Sequence, residues 1–167
     1  VVNEPLTTEK YDRDEWTSSS QSYEFKGEKY SSIRKYSYYA SKNMDGQGYV
    51  DPYTNEYLEL NGGDYDHVIP LAYAHLYGGY KWSDVEKKAF ADDPRVGVVV
   101  NSSDNKSKGA KGPSEWLPEA NLEDYAFTWL VIASEYDLSI NKEDMNTIMK
   151  LLDGVSMEDV KVINQYN

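Results

Sequence analysis

The sequence contains no cysteine and only two histidines among its 167 residues. The absence of cysteine excludes disulfide bridges, thiolate zinc sites and cysteine nucleophiles, although it is compatible with either redox compartment. No hydrophobic run approaches the roughly 20 residues that a membrane-spanning helix needs, so we expect a soluble protein without a membrane partner. Any imidazole-based mechanism must use His67 or His75, because there is no other histidine.

The length of the chain fits one folding unit with a hydrophobic core. We therefore expect a single domain over residues 1–167, with residues 1–10 as a loose N-terminal arm because they show little periodicity. The chain begins with Val-Val-Asn-Glu rather than Met, which favours removal of a leader and a secreted or cell-surface location. The sequence leaves the oligomeric state open, and we assume a monomer.

The formal net charge of −12 argues against a basic surface that attracts nucleic acid over a long range. Phosphodiester chemistry nevertheless needs only local positive charge, which a bound metal and a few placed Lys and Arg residues supply. Residues 101–112 are polar and carry Lys106, Lys108 and Lys111. This segment is the local basic patch of the chain.

Turn residues separate short predicted strands from short predicted helices, which indicates an α+β fold. The Ser83 and Glu86 pair is a capping box. Asn121 and Asn141 are predicted helix caps, and Ser156 with Asp159 predicts a final helix. The predicted strands end at His67 and span 96–100; the predicted helices span 71–77, 83–91, a short segment carrying Asn105, 122–136 and 142–152.

His67 differs from His75 in the residues that flank it in the sequence. Asp64 and Asp66 flank His67 at strand spacing, and Pro70 follows closely. Adjacent strand residues point to opposite faces, so Asp66 and His67 share a centre only where the strand ends and the backbone bends. His75 lies in a short amphipathic helix, where a partly buried structural histidine is the better interpretation, so it remains a minor candidate.

Segments over most of the chain resemble the HNH endonucleases of the GmrSD-type branch, which are common among secreted bacterial proteins. The order and spacing of several segments agree, which is more specific than a lone Asp-His pair. The matching segments are Tyr11–Trp16, Asp51–Thr54, Asp64–Ala72, Ala74–His75, Gly78–Gly79, Trp82, Phe90–Pro94, Asn105–Gly109 and Pro113–Pro118, with Tyr125 and Trp129.

This resemblance implies a ββα-metal (His-Me finger) nuclease core with additional packed helices. It implies His67 as the general base, Asp66 as a metal ligand and Asn105 as the second ligand. No histidine follows Asn105, so the pattern is similar to the Asp/Glu-His…Asn variant. Oxygen ligands of this kind suit Mg²⁺ or Mn²⁺ better than zinc.

The expected reaction is hydrolysis of phosphodiester bonds in DNA or RNA. The reaction needs an activated water. It also needs positive charge close to the phosphate and to the leaving oxygen, where negative charge develops. Lys108 is a candidate catalytic residue that grips phosphate, and Arg13, Arg34 and Lys106 are substrate-binding candidates. For the arginines, a structural ion pair is the competing interpretation. The alternative function is a catalytically inactive extracellular binding module on a nuclease-like scaffold.

Overall fold

The computed structural model describes residues 1–17, 23–25, 28–30, 48–59 and 62–163, and within them the fold is α+β. Two single-turn 3₁₀ helices, Arg13–Glu15 and Gly79–Lys81, accompany the regular elements. The strands are β1 (Tyr23–Phe25), β2 (Glu28–Tyr30), β3 (Gly48–Val50), β4 (Tyr57–Glu59), β5 (Asp64–His67) and β6 (Gly97–Val100). The helices are α1 (Leu71–Leu76), α2 (Asp84–Asp92), α3 (Ser102–Lys108), α4 (Leu122–Glu135) and α5 (Lys142–Leu152).

The described strands form three antiparallel pairs, β1 with β2, β3 with β4, and β5 with β6. In the third pair Asp64 lies opposite Val100 and His67 opposite Gly97. Every residue of β6 is buried, which explains its uninterrupted Gly-Val-Val-Val sequence. The strand ending at His67 and the buried strand near 96–100 are confirmed as predicted.

Two of the four predicted helix caps are confirmed. Ser83 and Glu86 form the complete capping box of α2, and the Asn141 side chain accepts from the Glu143 amide at the start of α5. The predicted helix after Ser156 is wrong, since Ser156 opens only a turn in which the Asp159 amide donates to its carbonyl. One helical turn without a buried face does not offset its nucleation cost.

Asn121 stands at the start of α4, but the prediction that its side chain caps this helix is wrong. Its backbone is left-handed, with φ of 57°, and its side chain makes no capping hydrogen bond. The Asn121 Nδ2 atom instead donates to the Pro52 carbonyl at 2.7 Å and to Asn55 Oδ1 at 2.9 Å. Tertiary contacts with the β3–β4 turn therefore override the local capping preference.

The hydrophobic core is built around α4, which buries Tyr125, Trp129 and Ile132 completely. Trp16 and Phe90 are also fully buried and meet edge to face, with ring centroids 5.8 Å apart. This packing joins the N-terminal segment to α2. None of the helices within the described ranges combines the length and the hydropathy that crossing a bilayer requires.

Residues 1–10 have the irregular backbone that the sequence predicts, yet they are tied to the rest of the protein. Val2 forms an isolated bridge with Asn141, and the Leu6 amide donates to the Leu76 carbonyl at 2.9 Å. The Glu9 carbonyl lies 2.7 Å from His75 Nε2. The description of this segment as a loose arm is therefore corrected: it is a fastened segment without regular secondary structure.

Helix α3 follows β6 directly and packs against β5. The buried carboxylate of Asp51, in the turn after β3, accepts hydrogen bonds from the Asn101 amide and side chain at 3.0 and 2.7 Å. Asn101 in turn caps α3 by accepting from the Asp104 amide. These contacts fix the start of α3 and so determine which residues it presents to β5.

Candidate functional site

A cleft of about 300 Å³ lies at the end of β5. Four separate segments of the chain line it, and they bring together four of the residues singled out in the sequence: Arg13, Asp66, His67 and Asn105. The other lining residues are Tyr11, Tyr65, Pro70, Leu71, Ala72, Gly109 and Ala110. The tertiary structure therefore places an imidazole, a carboxylate, an amide and a guanidinium around one cavity.

The ring of His67 is partly buried and held in one orientation. Its Nε2 atom lies 2.9 Å from the carbonyl oxygen of Ala91, near the C-terminus of α2, where carbonyls lack helical partners. A carbonyl only accepts, so Nε2 carries the hydrogen and Nδ1 is the basic atom of the neutral ring. Tyr65, on the same face of β5, meets the ring edge to face at 5.2 Å.

Desolvation lowers the pKa of His67 from its ordinary value to about 4, and it outweighs the contact with Ala91 and the nearby Asp66 carboxylate, which both act in the opposite direction. The imidazole is therefore neutral at pH 7, which is the state that a proton acceptor requires.

Asp66 is 7% exposed and is held by two buried side chains. The Tyr53 hydroxyl donates to Asp66 Oδ2 at 2.5 Å. The Lys108 Nζ atom lies 3.2 Å from Oδ2 and 3.4 Å from Oδ1. Both carboxylate oxygens therefore face donors from this protein, and one of those donors is an ammonium group.

Lys108 is fully buried, so it does not present its ammonium to solvent as a free phosphate-binding group. Besides Asp66 it donates to the backbone carbonyl of His67 at 2.9 Å, and so fastens the last turn of α3 to the end of β5. Desolvation lowers the pKa of Lys108, while Asp66 opposes this shift. The sequence interpretation of Lys108 as an open phosphate contact does not match this placement.

Asn105 lies on the face of α3 that meets β5. Its Nδ2 atom donates to Asp64 Oδ2 at 3.1 Å, so the contact of Asn105 with β5 runs through Asp64. Asp64 and Asp66 share one face of β5, because they are two residues apart in a strand. Asp64 does not line the cleft but holds the Asn105 side chain beside it, and this role was not predicted from the sequence.

The remaining predicted residues differ in their access to the cleft. Arg13 is exposed and lines the cleft, and its 3₁₀ turn is anchored by an ion pair between Glu15 and Lys87. Lys106 is exposed on α3 but is not a lining residue. Arg34 lies outside the described residues.

His75 does not line this cleft. It is fully buried, with Nε2 at the Glu9 carbonyl and Nδ1 without a hydrogen-bond partner within the described residues. Its position therefore supports the structural interpretation over a catalytic one.

Sequence reasoning missed Tyr53 and Asp51, which hold Asp66 and the start of α3 respectively. Both belong to the Asp-Pro-Tyr-Thr segment that carries part of the family resemblance. Their polar atoms are fully buried, and nothing in the local sequence marks a turn residue as buried. Only the partner residues, which are 13 and 50 positions away in the chain, reveal their roles.

Asp66 and Asn105 would be the ligands in this cleft for a hard divalent cation, although both oxygens of Asp66 already face donors of the protein. Asp66 and Asn105 line the cavity together and offer oxygen atoms, which Mg²⁺ and Mn²⁺ prefer. Within the part of the chain that the structure describes, no three His, Cys, Asp or Glu side chains are grouped as a metal site. A cation held here would therefore depend on few protein ligands, and Mg²⁺ ordinarily keeps several waters and takes phosphate oxygens.

No known family's sequence profile matches the chain, and no solved structure matches it. An uncharacterized secreted protein of Arthroderma benhamiae is 31% identical to this chain over 94 residues. The match covers 53% of this chain and 46% of that protein, so the chain spans about half the length of this relative. The relative's name carries no activity, so a function for this chain has to be argued from its cleft.

Proposed function

We propose that this protein is a metal-dependent endonuclease that hydrolyses phosphodiester bonds of DNA or RNA. The observation that carries the proposal is the state of His67, a neutral imidazole with Nε2 engaged by a carbonyl, in a cleft that also contains Asp66 and Asn105. The chain order β5, β6, α3, in which β5 and α3 contribute to the cleft lining, suits the proposed ββα-metal core.

His67 serves as the general base in this proposal. Its Nδ1 atom takes the proton of the attacking water, while the Ala91 carbonyl keeps the ring in the required tautomer. Asp66 and Asn105 would hold Mg²⁺ or Mn²⁺, which supplies positive charge to the phosphate and the leaving oxygen. Arg13, which lines the same cleft, binds a phosphate oxygen in this proposal.

The acidic composition of the chain is compatible with this function because the cleft has its own positive charge. Arg13 lines it, and Lys106 lies exposed one residue beyond Asn105. A secreted location is part of the proposal, supported by the secreted relative. Extracellular nucleic acid is then the substrate.

A plasmid-nicking assay tests the proposal directly. We expect supercoiled DNA or a long RNA to be cleaved with Mg²⁺ or Mn²⁺ and to remain intact with EDTA. No cleavage of either nucleic acid with several divalent metals across a range of pH would contradict the proposal. That outcome would favour the non-catalytic binding module on the same scaffold.

Replacing Arg13 with glutamine should weaken substrate binding more than it slows the chemical step. The loss of one charge-assisted contact to phosphate is expected to lower kcat/KM about tenfold, mainly through KM. The slope of log affinity against log salt should also decrease by about one. Steady-state kinetics at several salt concentrations measures both effects.

Arg95→Gln is the matched control for Arg13→Gln. Arg95 pairs with Asp93 and Glu135 and does not line the cleft, so its loss should leave KM and the salt dependence unchanged. An Arg13 variant with the kinetics of the parent would remove Arg13 from the substrate site.

A further inference from the structure

Asp66 already has a positive partner of its own. The Lys108 ammonium approaches both oxygens, at 3.2 and 3.4 Å, and the Tyr53 hydroxyl occupies Oδ2 as well. Lys108 is completely buried and Asp66 nearly so, which means that water does little to screen their attraction. The carboxylate is therefore neutralised before any cation from solution arrives.

A divalent ion at Asp66 would come close to the ammonium that lies near both carboxylate oxygens. A cation binds a carboxylate oxygen directly, and a second positive charge within a few ångströms in a buried setting is strongly repelled. A carboxylate accepts several donors, so Tyr53 can remain, whereas the ammonium cannot stay at both oxygens. Binding of the ion is therefore disfavoured while Lys108 keeps its present position.

Lys108 is not part of the cleft lining, but it adjoins the lining in the chain at the end of α3. Helix α3 ends at Lys108, and the next two residues, Gly109 and Ala110, line the cleft. Gly109 has a positive φ of +52° at the end of the helix, which glycine adopts without strain. The lysine thus stands at a helix terminus beside the cavity rather than in mid-helix.

We propose that Lys108 is a built-in counter-ion of Asp66 that a divalent cation displaces, which turns the ammonium towards the phosphate of the substrate. This inference rests on the proposed function, because it takes Asp66 as a ligand of that cation. It assigns Lys108 two successive partners, Asp66 without metal and phosphate with metal. The displaced ammonium adds positive charge to the cleft only when the metal is bound.

The first test measures Mn²⁺ binding to metal-free protein by calorimetry. Lys108→Gln removes the competing charge while its amide still donates to Asp66 or the His67 carbonyl. We expect Lys108→Gln to bind Mn²⁺ at least about tenfold more tightly than the parent, since a close charge pair contributes this much or more. Lys111→Gln, an exposed lysine near the same helix end, should match the parent.

The second test uses the unaltered protein, so it tests the displacement of Lys108 even if Lys108→Gln fails to fold. Acetylation of lysines is followed by mass spectrometry with and without saturating Mn²⁺. Lys108 is buried in the ion pair and should react slowly without metal, then several-fold faster with it, while Lys106 and Lys111 keep their rates. An unchanged Lys108 rate in protein that binds Mn²⁺ would overturn the inference.

The outcomes separate this inference from the proposed function. If folded Lys108→Gln binds Mn²⁺ as tightly as the parent or more weakly, the counter-ion role is overturned. The plasmid-nicking assay still tests the nuclease activity separately. Tighter binding in the variant together with no cleavage of nucleic acid by the parent supports the counter-ion role and contradicts the nuclease. Absence of Mn²⁺ binding by both proteins overturns both proposals.

Discussion

Replacement of His67 with alanine is expected to lower the rate of phosphodiester cleavage by about 10²–10⁴-fold, the usual contribution of a positioned general base. The Asp66 carboxylate accepts from Tyr53 and the Asn105 amide donates to Asp64, so neither depends on the His67 ring for its position and metal affinity should change little. Single-turnover cleavage of DNA and RNA, with matched metal and pH, measures the loss.

Two controls make the His67 result specific. Thermal unfolding of the same preparation separates loss of chemistry from loss of fold, because the variant also loses the contact with Ala91. Parent-like cleavage by a folded His67→Ala protein would exclude the mechanism even if the protein proved to be a nuclease.

The titration of His67 is a second observable of the same residue. Because desolvation lowers its pKa to about 4, the imidazole should stay neutral as the pH falls through 6.5 and gain its proton only near pH 4. NMR titration of metal-free protein follows the ring directly. A midpoint near 6.5 would show that the ring is solvated, contrary to the structure.

Replacement of Asp66 with alanine is expected to be among the most destabilising changes in the site. It strands the fully buried Lys108 ammonium without a carboxylate and removes the acceptor of the Tyr53 hydroxyl. Loss of one partner of a buried ion pair costs about 3–5 kcal/mol, which corresponds to a decrease in Tm of roughly 6–20 °C at this chain length. Calorimetric unfolding of metal-free protein measures it.

Asp64→Ala is the matched control, because Asp64 lies on the same face of β5 but is only partly buried. It loses one hydrogen bond from Asn105, for which we expect about 1 kcal/mol. If both alanine variants unfold at the same temperature, the pair of Asp66 and Lys108 does not stabilise the fold. Mn²⁺ binding should also weaken in Asp66→Ala under the proposed function.

Local patterns in the sequence predict the elements whose boundaries depend on neighbouring residues. The capping box of Ser83 and Glu86, the cap at Asn141 and the strand ending at His67 are all confirmed. Prediction failed where the local structure depends on a contact with a distant residue, or where a segment has no buried face to stabilise a helix. Asn121 turns to Pro52 and Asn55 instead of capping α4, and the turn after Ser156 does not extend into a helix.

The sequence by itself determined that an imidazole mechanism must use one of two histidines, and the spacing around His67 distinguished it from His75. Only the tertiary structure decided which atoms of these residues are free to bind a substrate or accept a proton. The Ala91 carbonyl sets the tautomer of His67. The packing of α3 against β5 buries Lys108 beside Asp66. A linear pattern specifies residue types, whereas burial and hydrogen-bond partners arise from segments far apart in the chain.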